Sequence, residues 1–330
     1  MPNDKLLNEF RQDLVSGDWV LFSAKRKHSI QEFEKFYQSK EECPFEDLQK
    51  SGQESVWNYP ESGVWQIAVI KNKYPALAPG LCGPDVQVGP FKTNPAVGEH
   101  NVLVYKDHDL KFADFSNEQL INAIRIYKKR YQEMSKSSEC IEYVTIFHNH
   151  GREAGASIYH PHSQMISLPI LPPDVSRSIY GSLNFYKENK KKVYDVIIDW
   201  ERGEKKRIVY ENDFFIAFCP FVSKTPYEVR IFSKDSHAHF EKMPDEMDKF
   251  LADVLSAVLK KVSRALNEPS YNFFIHTAPV KEKYGDMHEF YHWHVEILPK
   301  LSISAGFELG TGMDINVVDP DKAAEELRNA

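Results

Sequence analysis

Apolar residues recur at helical intervals in two stretches of the chain. After Ser116, which stands three residues before Gln119 at capping-box spacing, Leu120, Ile124, Tyr127 and Tyr131 mark one face of a helix. Phe250, Leu251, Val254, Leu255, Val258, Leu259 and Val262 form a wider apolar stripe on a second helix. A third, short helix is expected from Pro320 in "PDKAAEELR", because proline suits a first helical turn. Between these stretches, β-branched and aromatic runs such as "NVLVY", "YVTIF", "YEVRIF" and "NFFIH" predict strands.

The order of these elements repeats. Each half runs strand, loop, strand, a turn carrying a histidine, a long helix, a strand, and finally a strand with His-x-His. The two His-x-His pairs end at His162 and His294, and the turn histidines are His108 and His237, so the offset is nearly constant. That spacing is the length of a domain and far exceeds the period of a solenoid repeat. An α+β chain of two related halves follows, with the boundary between residues 185 and 205.

Composition narrows the class. The chain has 330 residues, 42% hydrophobic and 27% charged, with a net charge of −7. Lysines and arginines are scattered among acids, which argues against a nucleic-acid surface. No apolar run approaches the ~20 residues of a membrane span. The start, "MPNDKLLNEFRQDL", lacks a signal-peptide pattern, so a cytoplasmic location is expected. Cys43, Cys82, Cys140 and Cys219 form no CxxC pair, and in a reducing compartment no disulfide framework is expected.

The chemistry concentrates in "SIYHPHSQMI", residues 157–166. On an extended strand His160, His162 and Gln164 would share one face. Alternating polar residues are usually a solvated strand face. Here the row is rich in imidazole, the side chain that serves as base, nucleophile and metal ligand near neutral pH. Just before it, Gly155, Ala156 and Ser157 make a turn whose backbone N–H groups could approach a phosphate, though a plain tight turn reads equally well. A histidine nucleophile can split a group transfer into two displacements. At the third position of the row a carboxamide can only hydrogen-bond, where a histidine could protonate a leaving group. Gln164 therefore favours transfer over hydrolysis.

The segment "FHNHGREAGASIYHPHSQ" resembles the active-site segment of the galactose-1-phosphate uridylyltransferases, a transferase branch of the histidine-triad superfamily. "GDWVLFSAKR", "CPFE", "IKNKYPAL", "GEHNVLVYKDHD" and "AGFELGTGMDIN" resemble the same family in the same order along nearly the whole chain. The resemblance implies two histidine-triad-like domains, each an antiparallel sheet with packed helices, over residues 1–190 and 191–330. It implies UMP exchange between UDP-glucose and a hexose 1-phosphate (galactose 1-phosphate), by a ping-pong route through uridylyl-His162. It also implies phosphate contacts from Asn149, Ser157 and Gln164, nucleoside contact from Asn72, and hexose contact from Phe307 and Glu308. Arg26 matches an arginine that reaches the partner's phosphates, so a homodimer with composite sites is expected. Where the family usually has a second arginine, this chain reads Lys27-His28-Ser29.

The resemblance further implies a structural zinc on Cys43, Glu46, His108 and His160, with Glu46 standing where the family has a second cysteine. Zinc accepts carboxylate oxygen as well as thiolate and imidazole; a decayed site is the alternative. In the second half His276, His292 and His294 match residues that hold iron in some relatives. Where those relatives have a glutamate this chain has Ser178, so a second metal and polar core packing both stay open. Two other functions remain: an adenylyl-type enzyme such as an ADP-glucose phosphorylase with the same nucleophile, and a catalytically retired nucleotide-binding protein.

Overall fold

The computed structural model describes residues 8–23 and 35–330. Arg26 and the Lys27-His28-Ser29 stretch lie outside the described residues. The strands are β1 (Glu9–Gln12), β2 (Trp19–Phe22), β3 (Ser55–Tyr59), β4 (Ile67–Lys71), β5 (Val86–Val88), β6 (Phe91–Thr93), β7 (His100–Tyr105), β8 (Tyr143–His150), β9 (His162–Leu168), β10 (Ile208–Glu211), β11 (Phe215–Phe218), β12 (Val229–Ser233), β13 (Tyr271–His276), β14 (His294–Pro299) and β15 (Asp314–Asn316). The helices are α1 (Asn117–Met134), α2 (Pro173–Asn189), α3 (Val193–Glu204), α4 (Asp248–Ala265), α5 (Gly285–His288), α6 (Gly306–Thr311) and α7 (Pro320–Arg328).

Ten strands form one antiparallel sheet in the order β3-β4-β7-β9-β8-β13-β14-β12-β11-β10. The order is a mirror. Each half contributes five strands in the same internal sequence, and the halves join edge to edge where β8 pairs with β13, His148 opposite Phe273 and Asn149 opposite Asn272. Pairing two edges removes the exposed strand edge that each half alone would present.

Alternation along the strands sends one set of residues to each face. Met165, Val144, Ile146, Phe273, Ile275, Val295 and Ile297 join α1 and α4 in the main core. The capping box at Ser116 and Gln119 is formed, and the stripe on α4 is buried. On the opposite face the halves differ. Over the second half, Val175 and Ile179 of α2 and Val193, Tyr194 and Ile198 of α3 pack on Ile216, Phe218 and Phe232. Over the first half, the cover is a smaller cluster of Cys43, Phe45, Ala68, Ile70, Val102 and Val104. The duplication is thus asymmetric in its cover.

Two expectations need correction. The strand starts at His162, because Pro161 has no N–H to donate to a ladder. His160 therefore sits in the approach to β9 and is not part of one polar row. Cys82 and Cys140 are also brought together as a disulfide, with Cα atoms 5.7 Å apart. Their separation of 58 residues hides this in the sequence, since the excursion carrying β5 and β6 folds back toward the start of β8. Cys43 and Cys219 are free and buried.

Candidate active site

His162 is 6% exposed at the first position of β9. Its Nδ1 lies 2.9 Å from the His160 carbonyl oxygen. A carbonyl only accepts, so Nδ1 carries the proton and Nε2 keeps its lone pair. Burial lowers the His162 pKa, against the hydrogen bond to His160, so the neutral form is favoured. Phe45 packs edge-on against the ring at 5.4 Å between centroids. The result is a fixed neutral imidazole whose Nε2 has no hydrogen-bond partner among the described residues, the form a nucleophile requires.

Behind it, on the helix face, Ser163 Oγ meets the hydroxyls of Tyr105 (2.9 Å) and Tyr127 (2.6 Å) and His148 Nδ1 (3.1 Å). Tyr105 and Tyr127 also meet each other at 2.7 Å. A buried network this well satisfied rigidifies the strand next to the nucleophile.

Gln164 shares the face of His162 two residues on. Its Oε1 lies 2.8 Å from His100 Nε2, and Asn72 Nδ2 is 3.0 Å from the same nitrogen. Asn149 reaches the site from β8. Its Oδ1 accepts from Asn272 Nδ2 at 2.8 Å, and that same nitrogen lies 2.7 Å from the Ala154 carbonyl. A residue of the second half thus holds both Asn149 and the turn that leads to Ser157, which is exposed. The turn needs Gly151 at φ 83°, where an added Cβ would collide with the Ser270 side chain.

Next to His162, Cys43, His108 and His160 bring their donor atoms within 4.8 Å of one another. His108 Nε2 is 2.8 Å from the Gln38 carbonyl oxygen and His160 Nε2 is 2.5 Å from that of Tyr105. Both Nε2 atoms must therefore bear the protons, and the two Nδ1 lone pairs face each other across 3.2 Å. Burial pushes the His160 pKa down to about 4, so the His160 ring is neutral at neutral pH. Cys43 Sγ is 3.5 Å from His160 Nδ1, and Glu46 Oε1 is 3.3 Å and 3.6 Å from the two Nδ1 atoms. Tetrahedral zinc with ordinary bond lengths would set ~3.3 Å between two nitrogens and ~3.5 Å between nitrogen and sulfur. Cys43, His108 and His160 fit that ion, while Glu46 is near both imidazoles but outside the group whose donor atoms all lie within 4.8 Å of one another.

The second-half cluster is built differently. Glu296 stands where β9 has Gln164, and its carboxylate lies 3.3 Å from His294 Nε2, 3.5 Å from His276 Nε2 and 3.0 Å from Arg230 Nε. Burial works to raise the Glu296 pKa, yet Arg230 and His276 hold it well below the usual carboxylate range. His292 spends its nitrogens on the carbonyls of Ser233 and Trp293. Tyr194 of α3 packs over His294 at 5.9 Å. This half is charge-paired where the first carries a neutral amide.

Phe307 and Glu308 sit on α6. Phe307 is 37% exposed, and Glu308 Oε2 accepts from the Ala305 N–H of its own helix at 3.0 Å. Among the described hydrogen bonds none ties them to the histidine row, and Ile303 and Leu309 beside them are exposed too. Two residues that orient the site, His100 and Asn272, escaped the sequence reading. His100 was visible in "GEHNVLVY", but only strand register shows what it touches.

The first 172 residues account for one likeness to known proteins: the model of the galactose-1-phosphate uridyl transferase N-terminal domain matches residues 2–172. A model described as a domain of unknown function (DUF4921) matches residues 97–330. The ADP-glucose phosphorylase of Arabidopsis thaliana is 32% identical, over 97% of this chain and 92% of that one. The galactose-1-phosphate uridylyltransferase of Thermotoga maritima is 31% identical, over 97% and 98%. Among solved structures, an Arabidopsis thaliana ADP-glucose phosphorylase with bound ADP-glucose superposes with a TM-score of 0.84 at 29% identity, covering 98% of this chain and 99% of that one. A uridylyltransferase superposes with a TM-score of 0.74 at 26% identity, covering 97% of each. Matches of this length across both halves place the chain in the galactose-1-phosphate uridylyltransferase family.

Proposed function

We propose that the protein is a nucleotidyltransferase that carries a nucleoside monophosphate on His162. The supporting observation is the His162 tautomer: Nδ1–H is held by the His160 carbonyl and Nε2 is free. In the first half-reaction Nε2 attacks the α-phosphorus of a nucleoside diphosphate hexose. A nitrogen–phosphorus bond forms, the bond from that phosphorus to the bridging oxygen breaks, and hexose 1-phosphate leaves with the electron pair. In the second half-reaction a phosphate oxygen of the acceptor attacks the same phosphorus, and the pair returns to Nε2. The positive charge on the imidazole in the intermediate is stabilised through Nδ1–H and the His160 carbonyl. Gln164 supplies hydrogen-bond donors to the phosphoryl oxygens but no acid, which keeps the intermediate for transfer.

The donor of the first reading is UDP-glucose, with a hexose 1-phosphate such as galactose 1-phosphate as acceptor. The likeness to ADP-glucose phosphorylase favours a second reading, with ADP-glucose as donor and inorganic phosphate as acceptor. In either reading Asn72, Asn149 and Ser157 contact the nucleotide, and Phe307, Glu308 and Arg26 complete the site of a second copy in a homodimer. Cys43, Glu46, His108 and His160 would hold zinc. When bound, the ion supplies a fixed positive centre that satisfies the two facing lone pairs and anchors His160, whose carbonyl sets the His162 tautomer.

Label exchange tests this. Glucose 1-phosphate carrying a label should enter the nucleotide sugar without any second acceptor, because a covalent route completes the first half-reaction alone. Exchange into UDP-glucose supports the uridylyl reading and into ADP-glucose the adenylyl one. Absence of exchange into either contradicts the covalent route.

A further inference from the structure

Gln164 can turn its amide two ways, and only one of them offers donors to a phosphate beside His162. We propose that His100 is a positioning residue that sets this orientation, linking the Asn72–Ala76 loop to the phosphate site. The inference rests on the nucleotidyl-transfer reading and names what orients its glutamine.

Strand register brings the pair together. In the β7–β9 ladder His100 opposes Ile166 and Val102 opposes Gln164. His100 and Gln164 are therefore diagonal neighbours on one face, within reach of long side chains. The direction of the hydrogen bonds then follows from one donor that has no choice. The Ala76 backbone N–H lies 3.1 Å from His100 Nδ1, so Nδ1 accepts. A neutral imidazole accepting at Nδ1 carries its proton at Nε2. Burial lowers the His100 pKa, against the hydrogen bond to Gln164, in keeping with the neutral ring.

Nε2–H faces Gln164 at 2.8 Å, so the Gln164 atom there must be the oxygen. The flipped amide would set donor against donor. With its oxygen on His100, the Gln164 NH2 is directed away from that ring, and its two hydrogens are left for an acceptor on the His162 side. Asn72 does not share in this relay: its Oδ1 accepts the Tyr74 N–H at 2.8 Å, and its Nδ2 sits 3.0 Å from His100 Nε2, which is already protonated and gives it no acceptor. One backbone N–H in the loop thus orients His100, and His100 orients Gln164.

The test is a double-mutant cycle read at the first half-reaction. Single-turnover formation of nucleotidyl-His162 is measured with UDP-glucose and with ADP-glucose in wild type, His100→Ala, Gln164→Ala and the double variant. His100→Ala should slow the step on the order of tenfold, the scale of one lost hydrogen bond to a reacting group. In the Gln164→Ala background the same change should cost almost nothing, because its effect runs through the glutamine. His100→Gln, whose amide can still donate to Gln164 Oε1, should recover part of the rate. Equal losses in both backgrounds would overturn the proposal and make His100 a packing residue. A second measurement does not depend on activity: 15N chemical shifts of the His100 ring should report the Nε2–H tautomer in wild type. A ring protonated at Nδ1 alone would contradict the proposal. If wild type forms no adduct with either sugar, the nucleotidyl-transfer reading fails, and the tautomer alone decides how Gln164 is held.

Discussion

His108 and His160 point their Nδ1 atoms at each other across 3.2 Å while both Nε2 atoms are tied to backbone carbonyls. Two lone pairs facing at that distance suit a shared cation, and Cys43 Sγ lies 3.5 Å from His160 Nδ1. Protein purified without chelator should therefore hold close to one zinc per chain. His108→Ala should lose metal and thermal stability together, since such binding contributes to folding. Glu46→Cys should retain zinc longer against a chelator, because thiolate is the stronger donor. Metal analysis and melting curves of the three proteins check this. A stable, metal-free wild type would contradict it.

Gln164 has a clear chemical alternative. Gln164→His places an acid beside the phosphate and should raise hydrolysis of the nucleotide sugar relative to transfer. The ratio of free nucleotide to exchanged sugar measures the effect. An unchanged ratio would mean that the glutamine does not protect the intermediate.

Asn272 belongs to the second half yet holds Asn149 and the Ala154 carbonyl. Asn272→Ala should lower kcat/KM by about tenfold, the equivalent of ~1.4 kcal/mol in transition-state stabilisation, through loss of two hydrogen bonds. His162 itself is untouched, so the adduct should still form at saturating donor. Wild-type kinetics in this variant would show that Asn149 needs no support from β13.

The exposure of α6 bears on the proposed roles of Phe307 and Glu308. If Phe307 and Glu308 serve the neighbouring copy, mixtures of Glu308→Ala and His162→Ala chains should regain part of the activity that each lacks. One subunit arrangement in a mixed dimer then has both intact groups. No recovery after verified subunit exchange would place Glu308 in the site of its own chain.

Local signals in the sequence carried much of this structure. Ser116 and Gln119 announce the start of α1, the apolar stripe from Phe250 to Val262 announces α4, and the repeated strand order becomes the mirrored sheet. The His162–Gln164 pair was legible because the two residues share one face at period two. What stayed hidden depends on contacts between distant segments. His100 meets Gln164 only through the β7–β9 register, 64 residues apart, and Asn272 meets Asn149 across the join between halves. The Cys82–Cys140 pair closes over a loop with no local signal. His160 left the row for a reason that was present in the sequence, since Pro161 cannot extend the ladder.

The central claim is that His162 carries the nucleotide. Incubation with UDP-glucose or ADP-glucose without acceptor, rapid quenching at alkaline pH where phosphoramidates persist, and peptide mass spectrometry read it directly. A single nucleoside monophosphate on the peptide containing His162, absent from His162→Ala and discharged by added hexose 1-phosphate or phosphate, is the predicted result. An adduct located on His160, or none with either donor, would contradict it.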